Sequence, residues 1–125
     1  MPAPSREILM ASAARTTLQS VPLINAAGYR NCLIVFDWTV EAVSSTLTPS
    51  IEVVGLSAAN GILWTAAAGL TAIGVYPYLF TDSGLIAADF NGTEAVGFSL
   101  PANCVFKIAV GDADSSTYSV EAHWW

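Results

Sequence analysis

The chain has 125 residues, of which 54% are hydrophobic and only 11% are charged, and its net charge is −6. This length fits a single domain with one core. The four cations, Arg6, Arg15, Arg30 and Lys107, are scattered; this argues against nucleic-acid binding, which needs clustered cations on the phosphates, and against attraction to an anionic membrane.

The low charge also bears on how the surface is used. Typical soluble domains contain about 25% charged residues, and a free monomer needs a charged surface without large apolar patches. We therefore expect neighbouring subunits to cover much of this surface, in a homo-oligomer or a larger assembly.

The first residues of the chain lack the pattern of a core strand. Met1–Ala13 show no alternation of apolar and polar side chains, which predicts an extended N-terminal arm, ordered only in an assembly, and a main domain spanning 14–125. The segment has two prolines and too short an apolar run for a secretory signal. We therefore expect Cys32 and Cys104 to be reduced thiols that pack as small hydrophobes.

Alternation with a period of two residues dominates the next segments and predicts strands. Arg15–Ile24 is a candidate edge strand, limited by Pro22. Cys32–Glu41 is apolar on both faces in its first half, as in a buried central strand, and amphipathic in its second half. Ser44–Ser50, with Thr48-Pro49, predicts a loop.

A hairpin is predicted in the middle of the chain. Ile51–Ala58 and Ile62–Ala67 flank Asn60-Gly61, two residues that tolerate positive φ. A helix over Ile62–Ile73 is the alternative, weakened by its glycines. The uncharged stretch from Val53 to Thr81 is long enough for a bilayer span, but the same turn interrupts it and no Lys or Arg flanks it.

The second half of the chain continues the β pattern. Thr71–Leu79 is a strand whose end Pro77 places at an edge or a bulge, and Thr81–Gly92 is a loop with an apolar patch at Leu85-Ile86. Further strands are Glu94–Leu100, Asn103–Val110 and, after a turn at Gly111–Ser115, Thr117–Trp124. About eight short strands and no convincing helix predict an all-β fold, a β-sandwich or jelly roll.

The segment after Gly111 resembles the start of a calcium loop. Asp112-x-Asp114-x-Ser116 has the alternating oxygen ligands of such a loop, but Thr117 stands where a glycine is needed and His123 where a bidentate glutamate is needed. A hairpin turn explains the segment better. We expect no metal and no cofactor.

Candidate catalytic groups also lack a supporting pattern. His123 is the only histidine, and neither a nucleophile elbow nor a cysteine signature accompanies it. Asp37, Glu41 and Glu52 are possible paired carboxylates of a glycosidase, but charges on solvent-facing strand positions explain them better. The sequence therefore predicts no catalytic residue and no enzyme.

The terminal pair Trp124-Trp125 is more informative. Alternation sends one indole into the core and the other outward, where tryptophan is a frequent interface anchor. Together with Tyr78 and Arg15, both tryptophans are candidates for contacts with a neighbouring subunit. The alternative is a carbohydrate-binding module in which the tryptophans and Tyr78 stack on sugars.

Four stretches carry a family resemblance: Ala14-Arg15-Thr16, RNCLIVFDWTVEAVSSTLTPSIEVVG, VYPYL and LPANCVFKIAVGDADSSTYSVEAHWW. This succession resembles a group of small virion proteins of tailed bacteriophages and prophages. Its most specific parts are Gly111–Ser115 with Tyr118-Ser119-Val120, and the Thr48-Pro49-Ser50 turn.

The resemblance implies a structural role in a phage particle that assembles in the bacterial cytoplasm. A decoration or cement protein that stabilises the head through contacts with the major capsid protein is the favoured role. A neck or tail subunit and a receptor- or glycan-binding module are the alternatives.

The incomplete ligand pattern at Asp112–His123 predicts that calcium does not stabilise the protein. We expect the melting temperature in millimolar calcium to equal that in excess EDTA, measured by differential scanning calorimetry. A calcium-dependent rise of several degrees would show a site that binds the folded state.

Overall fold

The structure is a computed structural model, and it describes residues 3–41, 46–54, 61–111 and 115–125. These residues contain nine strands and one short helix. The strands are β1 (Ser5–Arg15), β2 (Gln19–Ile24), β3 (Asn31–Glu41), β4 (Leu47–Val53), β5 (Ile62–Thr65), β6 (Gly74–Thr81), β7 (Glu94–Val96), β8 (Asn103–Val110) and β9 (Ser116–Trp124), and the helix is α1 (Gly84–Asp89).

The strands form two sheets, in the orders β1-β9-β3-β6-β7 and β2-β8-β4-β5. The antiparallel pairs β1–β9, β2–β8, β3–β6 and β4–β5 are nested one inside another along the chain. The chain is thus one long antiparallel hairpin that rolls up until β9 also pairs with β3 and β8 with β4. This is the jelly-roll arrangement, and it confirms the predicted all-β sandwich.

Strand alternation builds the core between the two sheets. Every second residue of β9 is buried, from Ser116 to Trp124, and β3 and β8 alternate in the same way. Because alternate side chains of a strand point to opposite faces, the inner faces meet in one apolar layer. Its largest fully buried side chains are Trp38, Tyr78, Tyr118, Phe36, Phe80 and Phe106.

Trp64 of β5 ties the two sheets together. Its ring packs edge-on against Phe80 of β6, with the centroids 5.0 Å apart, and against Tyr78, 5.1 Å away. Its indole Nε1 donates a hydrogen bond of 2.5 Å to Glu94 of β7. Aromatic pairs of this kind contribute about 0.5–1.5 kcal/mol beyond the area that they bury.

The expectation of an N-terminal arm outside the sandwich was wrong. Ser5–Arg15 forms β1, which pairs with β9 from Ser5 opposite Trp124 to Arg15 opposite Ser116. The alternation is absent because only Met10 of this edge strand is buried. The boundary predicted between residues 13 and 14 therefore falls inside a strand, and deletion of the first 13 residues would uncover an edge of β9.

Two predicted loops contain regular structure. Leu47–Ser50 belongs to β4, although Thr48-Pro49 reads as a turn. The Pro49 carbonyl accepts from Ala66 N at 2.9 Å, so the Pro49 nitrogen faces β5 and not β8, and the β8 ladder loses no donor. Likewise, Thr81–Gly92 contains α1, which begins where the Ser83 side chain accepts from Ile86 N.

Other expectations are confirmed. β4 and β5 pair antiparallel, with Ile51 opposite Trp64, as the predicted hairpin requires, whereas its turn residues Ala59 and Asn60 lie outside the described residues. β2 is an edge strand, as expected. Pro77 lies just before Tyr78, where β7 begins to pair with β6. Among the described residues, no helix has both the length and the apolarity needed to cross a bilayer.

Both cysteines are buried in the core, as predicted. Cys32 is 1% exposed and Cys104 is fully buried, with its Sγ 3.7 Å from the Leu23 carbonyl oxygen. Burial raises the pKa of the Cys32 thiol, and it raises that of Cys104 to about 11 from an ordinary value of 9.0.

These thiols predict a loss of stability at alkaline pH. Because the pKa of Cys104 is raised in the folded state, its contribution is present below pH 9 and is lost as the pH rises from 9 to 11. We expect Cys104→Ala to be less stable than the wild type at pH 7, because the substitution leaves a cavity. Between pH 9 and pH 11, however, its free energy of unfolding should fall by about 1–2 kcal/mol less than that of the wild type.

Urea unfolding at each pH measures this difference. Equal losses in the two proteins would contradict the burial argument. In the same experiment, iodoacetamide at pH 8 should leave the native protein unlabelled and add two labels after denaturation, whereas no labels after denaturation would indicate a disulfide.

Candidate functional site

The structure separates the four side chains expected at an interface. Tyr78 is fully buried and Trp124 is 3% exposed, so neither reaches a partner molecule from this conformation. Trp125 is 39% exposed. One terminal indole thus points inward and the other outward, as the alternation predicted.

Arg15 stabilises the sheet rather than projecting from it. The β1–β9 ladder is irregular between Met10 and Ala13, and the Arg15 guanidinium donates to the backbone carbonyls of Tyr118 and Ala11 at 2.5 Å and of Ala13 at 3.1 Å. It also lies 4.7 Å from the centre of the Tyr118 ring. These contacts use three of the five N–H donors of the guanidinium and hold it against the sheet.

The candidate carboxylates are not brought together. Asp37 lies on β3, whereas Glu52 lies on β4 of the other sheet, where its Oε2 is 2.6 Å from Lys107 Nζ. Asp112 and Asp114 lie outside the described residues. Within the described ranges, no group of three or more His, Cys, Asp or Glu side chains is placed to hold a metal ion.

His123 joins a small polar group on the outer face of β9. Its Nε2 is 3.2 Å from Glu121 Oε2, and Arg6 Nη2 is 2.6 Å from Glu121 Oε1. The hydrogen bond from Arg6 holds the pKa of Glu121 below its usual range. A carboxylate already paired with a cation is poorly suited to accept a substrate proton.

A cleft lies beside Trp125, and the sequence did not predict it. Its volume is about 640 Å³. Four separate segments contribute: Pro4, the β2–β3 loop with the start of β3, the β6–α1 turn with α1, and Trp125. Its principal lining residues are Pro4, Tyr29, Arg30, Asn31, Asp82 and Trp125.

The β2–β3 loop is held by Asn25, which is 6% exposed. Its side chain accepts from Tyr29 N at 2.7 Å and donates to the carbonyls of Tyr29 and Leu100 at 2.7 and 3.0 Å. Gly28 in this loop has φ of 71°, a conformation that glycine adopts without strain. The loop therefore presents Tyr29 and Arg30 in a fixed position.

An ion pair joins this loop to the β6–α1 turn. Nη2 of Arg30 lies 3.0 Å from each carboxylate oxygen of Asp82, and Nε lies 3.2 and 3.3 Å from them. This fork geometry suits a planar guanidinium and a carboxylate. Both side chains are exposed, so the pair adds little stability, but it makes the wall electrically neutral.

The backbone fixes the position of Trp125. Its nitrogen donates to the Asn31 carbonyl at 3.1 Å, and its carbonyl accepts from Asn31 N at 3.0 Å. The Asn31 side chain adds a bond of 3.3 Å to the same carbonyl and accepts from the Thr81 hydroxyl. Trp125 is thus docked on β3 through Asn31.

A smaller depression of about 350 Å³ adjoins the cleft and shares Trp125 and Ile86 with it. Its other apolar lining residues are Leu33, Leu79 and Phe90. The Trp125 indole therefore has a polar-edged cleft near it and an apolar depression beside it. This arrangement is suited to binding rather than to general acid–base chemistry, because Asp82, the carboxylate of the larger cleft, is already paired with Arg30.

Comparisons with known proteins do not identify the chain. No protein-family model and no curated protein matches it. Among solved structures, one titled "Structure of infectious bursal disease virus Gx strain" matches with a TM-score of 0.42 and 17% identity, over 99% of this chain and 32% of that chain. The chain thus spans about a third of the length of the protein that it matches. A likeness at this level carries no functional information.

The contacts of Arg15 predict a structural role that can be measured. We expect Arg15→Ala to lower the free energy of unfolding by about 1–2 kcal/mol, since hydrogen bonds from a charged donor are lost. Arg15→Lys should recover only part of this, because an ammonium cannot span the same carbonyls. The control is Arg30→Ala, whose exposed pair should cost less than about 1 kcal/mol. Stability is measured by urea unfolding. A free energy of unfolding that Arg15→Ala leaves unchanged would disprove the structural role of Arg15.

Proposed function

We propose that this chain is a structural subunit of a virus particle, and more narrowly a decoration or cement protein on the head of a tailed phage. It works by covering apolar surface between shell subunits. A neck or tail subunit is the alternative within the same class. The observation that carries the proposal is an apolar strip on the outward face of the five-stranded sheet.

The outer strip consists of Leu33 and Val35 of β3 and Val75, Pro77 and Leu79 of β6. Leu33 lies opposite Leu79, and Val35 lies opposite Pro77. An antiparallel sheet that faces water normally carries polar side chains on its outer face. A contiguous apolar strip at this position is typical of an interaction surface.

The protein covers only one end of the strip by itself. Ile86 and Trp125 line one depression together with Leu33 and Leu79, and Leu79 is 2% exposed, whereas Val75 is 61% exposed. Ile8, which is 62% exposed, lies on the same face but is separated from the strip by Glu121 of β9, which lies opposite both Ile8 and Val35. A specific interface buries about 800 Å² on each partner, and the outer strip would form its centre.

The cations support a protein partner over a nucleic acid. All four lie in the described part of the chain and have internal partners: Arg6 with Glu121, Arg30 with Asp82, Lys107 with Glu52, and Arg15 with backbone carbonyls. Binding to phosphates would require these pairs to break. An apolar contact on the outer strip requires no such exchange.

The sequence resemblance supports the narrower proposal. The Gly111–Ser115 stretch followed by Tyr118-Ser119-Val120 is similar to the corresponding part of small virion proteins of tailed phages. A decoration protein repeats many times on a shell, so a modest contact at each copy adds up through multivalent attachment. This would explain how a chain of 125 residues stabilises a head.

Substitution at the open end of the strip tests the proposal. Val75→Lys places a cation opposite Asp37 of the neighbouring strand, so we expect the fold to be retained while the apolar contact is lost. Loss of an interface hot spot costs about 2–4 kcal/mol, which lowers binding at each site at least tenfold. The matched control is Ile24→Lys, at a position that is 60% exposed on the other sheet.

The measurement is the number of copies of each variant in purified particles, by quantitative mass spectrometry, beside circular dichroism of the free proteins. We expect Val75→Lys to be depleted and Ile24→Lys to be present at the wild-type level. Full occupancy by Val75→Lys would remove the strip from the interface. Absence of the wild-type chain from particle reconstructions would overturn the virion assignment itself.

A further inference from the structure

We propose that the cleft beside Trp125 binds a neutral saccharide, with the apolar face of a pyranose ring stacked on the Trp125 indole and its hydroxyls bonded to the Arg30–Asp82 pair. This binding activity goes beyond the structural role proposed above. It uses a different surface from the open part of the outer strip, so that either activity can exist without the other.

The aromatic platform is exposed, and the backbone that carries it is fixed. All four tryptophans lie in the described part of the chain; Trp38, Trp64 and Trp124 are at most 7% exposed, and Trp125 is 39% exposed. Its backbone is held by two hydrogen bonds to Asn31. A ligand that stacks on this ring meets a surface that needs little further ordering, which lowers the entropy cost of binding.

The polar edge of the cleft matches the chemistry of vicinal hydroxyls. Each hydroxyl both donates and accepts a hydrogen bond, and the paired Arg30 and Asp82 present donors and acceptors side by side. The pair uses Nε and Nη2 of Arg30, so the Nη1 donors lie outside it. Ser83 of the β6–α1 turn adds a further hydroxyl to the lining.

Charge and size restrict the ligand class. Since Arg30 and Asp82 neutralise each other, an ionic ligand would have to compete with an existing ion pair. The volume of about 640 Å³ falls within the range of about 300–1,000 Å³ that is usual for small-molecule sites. A mostly apolar lining with a few converging polar groups is also usual for such sites.

The walls are formed before any ligand enters. Asn25 fixes the β2–β3 loop, and the Tyr29 hydroxyl donates to the Ala3 carbonyl at 2.6 Å. The Tyr29 ring also packs against Trp124, with centroids 6.1 Å apart. These contacts tie the N-terminal segment to the wall, so the cleft does not depend on a mobile loop.

A purely apolar occupant fits the larger cleft less well. An acyl chain or an apolar peptide segment would remove water from Arg30 and Asp82 without replacing the lost hydrogen bonds, which costs free energy. Such an occupant suits the smaller depression near Leu79 and Phe90. Sugar hydroxyls replace the water that they displace.

Fluorescence provides a direct test, since Trp125 is the exposed tryptophan. The purified full chain is titrated with maltotriose, cellotriose and triacetylchitotriose, and acrylamide quenching is recorded. We expect at least one of these to protect Trp125, with a dissociation constant between micromolar and about 10 mM. The affinity of each variant for that sugar is then measured by calorimetry. Trp125→Phe, which keeps an aromatic face, should bind the sugar more weakly, and Asp82→Asn should lose at least tenfold in affinity.

Leu85→Ala is the matched control, because Leu85 lies on α1, is 83% exposed and does not line the cleft. Its affinity for the sugar should equal that of the wild type. No protection by any of the three sugars at 10 mM would overturn the proposal, as would sugar binding that Asp82→Asn leaves unchanged. Protection by decanoate or by self-association at high protein concentration, without protection by sugars, would assign the cleft to an apolar or protein occupant instead.

The test does not involve particles, so its outcome is separate from that of the virion proposal. A variant that loses sugar binding and keeps full particle occupancy would show two independent surfaces. Sugar binding by a chain that is absent from particles would leave the cleft assignment intact and reject the structural role.

Discussion

The position of β9 between β1 and β3 is the constraint on which the rest of the structure depends. β9 pairs with both neighbours along its length and buries every second side chain, Tyr118, Val120, Ala122 and Trp124 among them. Through these pairs the last strand closes the sheet that the first strand begins. Because Trp124 of β9 pairs with Cys32 of β3, the next residue, Trp125, bonds to Asn31 and remains at the surface. The cleft therefore results from the pairing of β9 with β3.

The two candidate surfaces share the outward face of one sheet. The outer strip runs along β3 and β6, and the cleft lies where α1 and the C-terminus cover the end of that strip. Apolar side chains on an outer face are unfavourable in a free monomer. Ile86 and Trp125 shield the end of the strip at Leu33 and Leu79, whereas the end at Val75 stays exposed. Taken together, the two proposals describe an assembly subunit with an additional small-molecule site.

The core shows how strongly apolar burial outweighs polar cost here. The hydroxyls of Tyr78 and Tyr118 are buried without a hydrogen-bond partner among the described residues, and burial raises the pKa of both, that of Tyr118 to about 12. A buried polar atom without a partner costs about 1–3 kcal/mol. The large rings fill the layer between the sheets, and aromatic contacts such as Phe36–Tyr118, at 4.9 Å, offset that cost.

The sequence by itself determined the β class and the opposite directions of Trp124 and Trp125, because these follow from local alternation, and the apolar character of reduced cysteine predicted the burial of Cys32 and Cys104. It did not determine β1, since an edge strand with one buried residue shows no alternation. Nor did it determine the strand through Thr48-Pro49, because only the tertiary structure shows that the Pro49 nitrogen faces β5 and leaves the hydrogen bonds to β8 intact. The cleft was decided only by tertiary structure. The adjacent residues Tyr29 and Arg30 are distant along the chain from Asp82 and from Trp125, and nothing local marks these three positions as neighbours until the rolled hairpin brings their strand ends together.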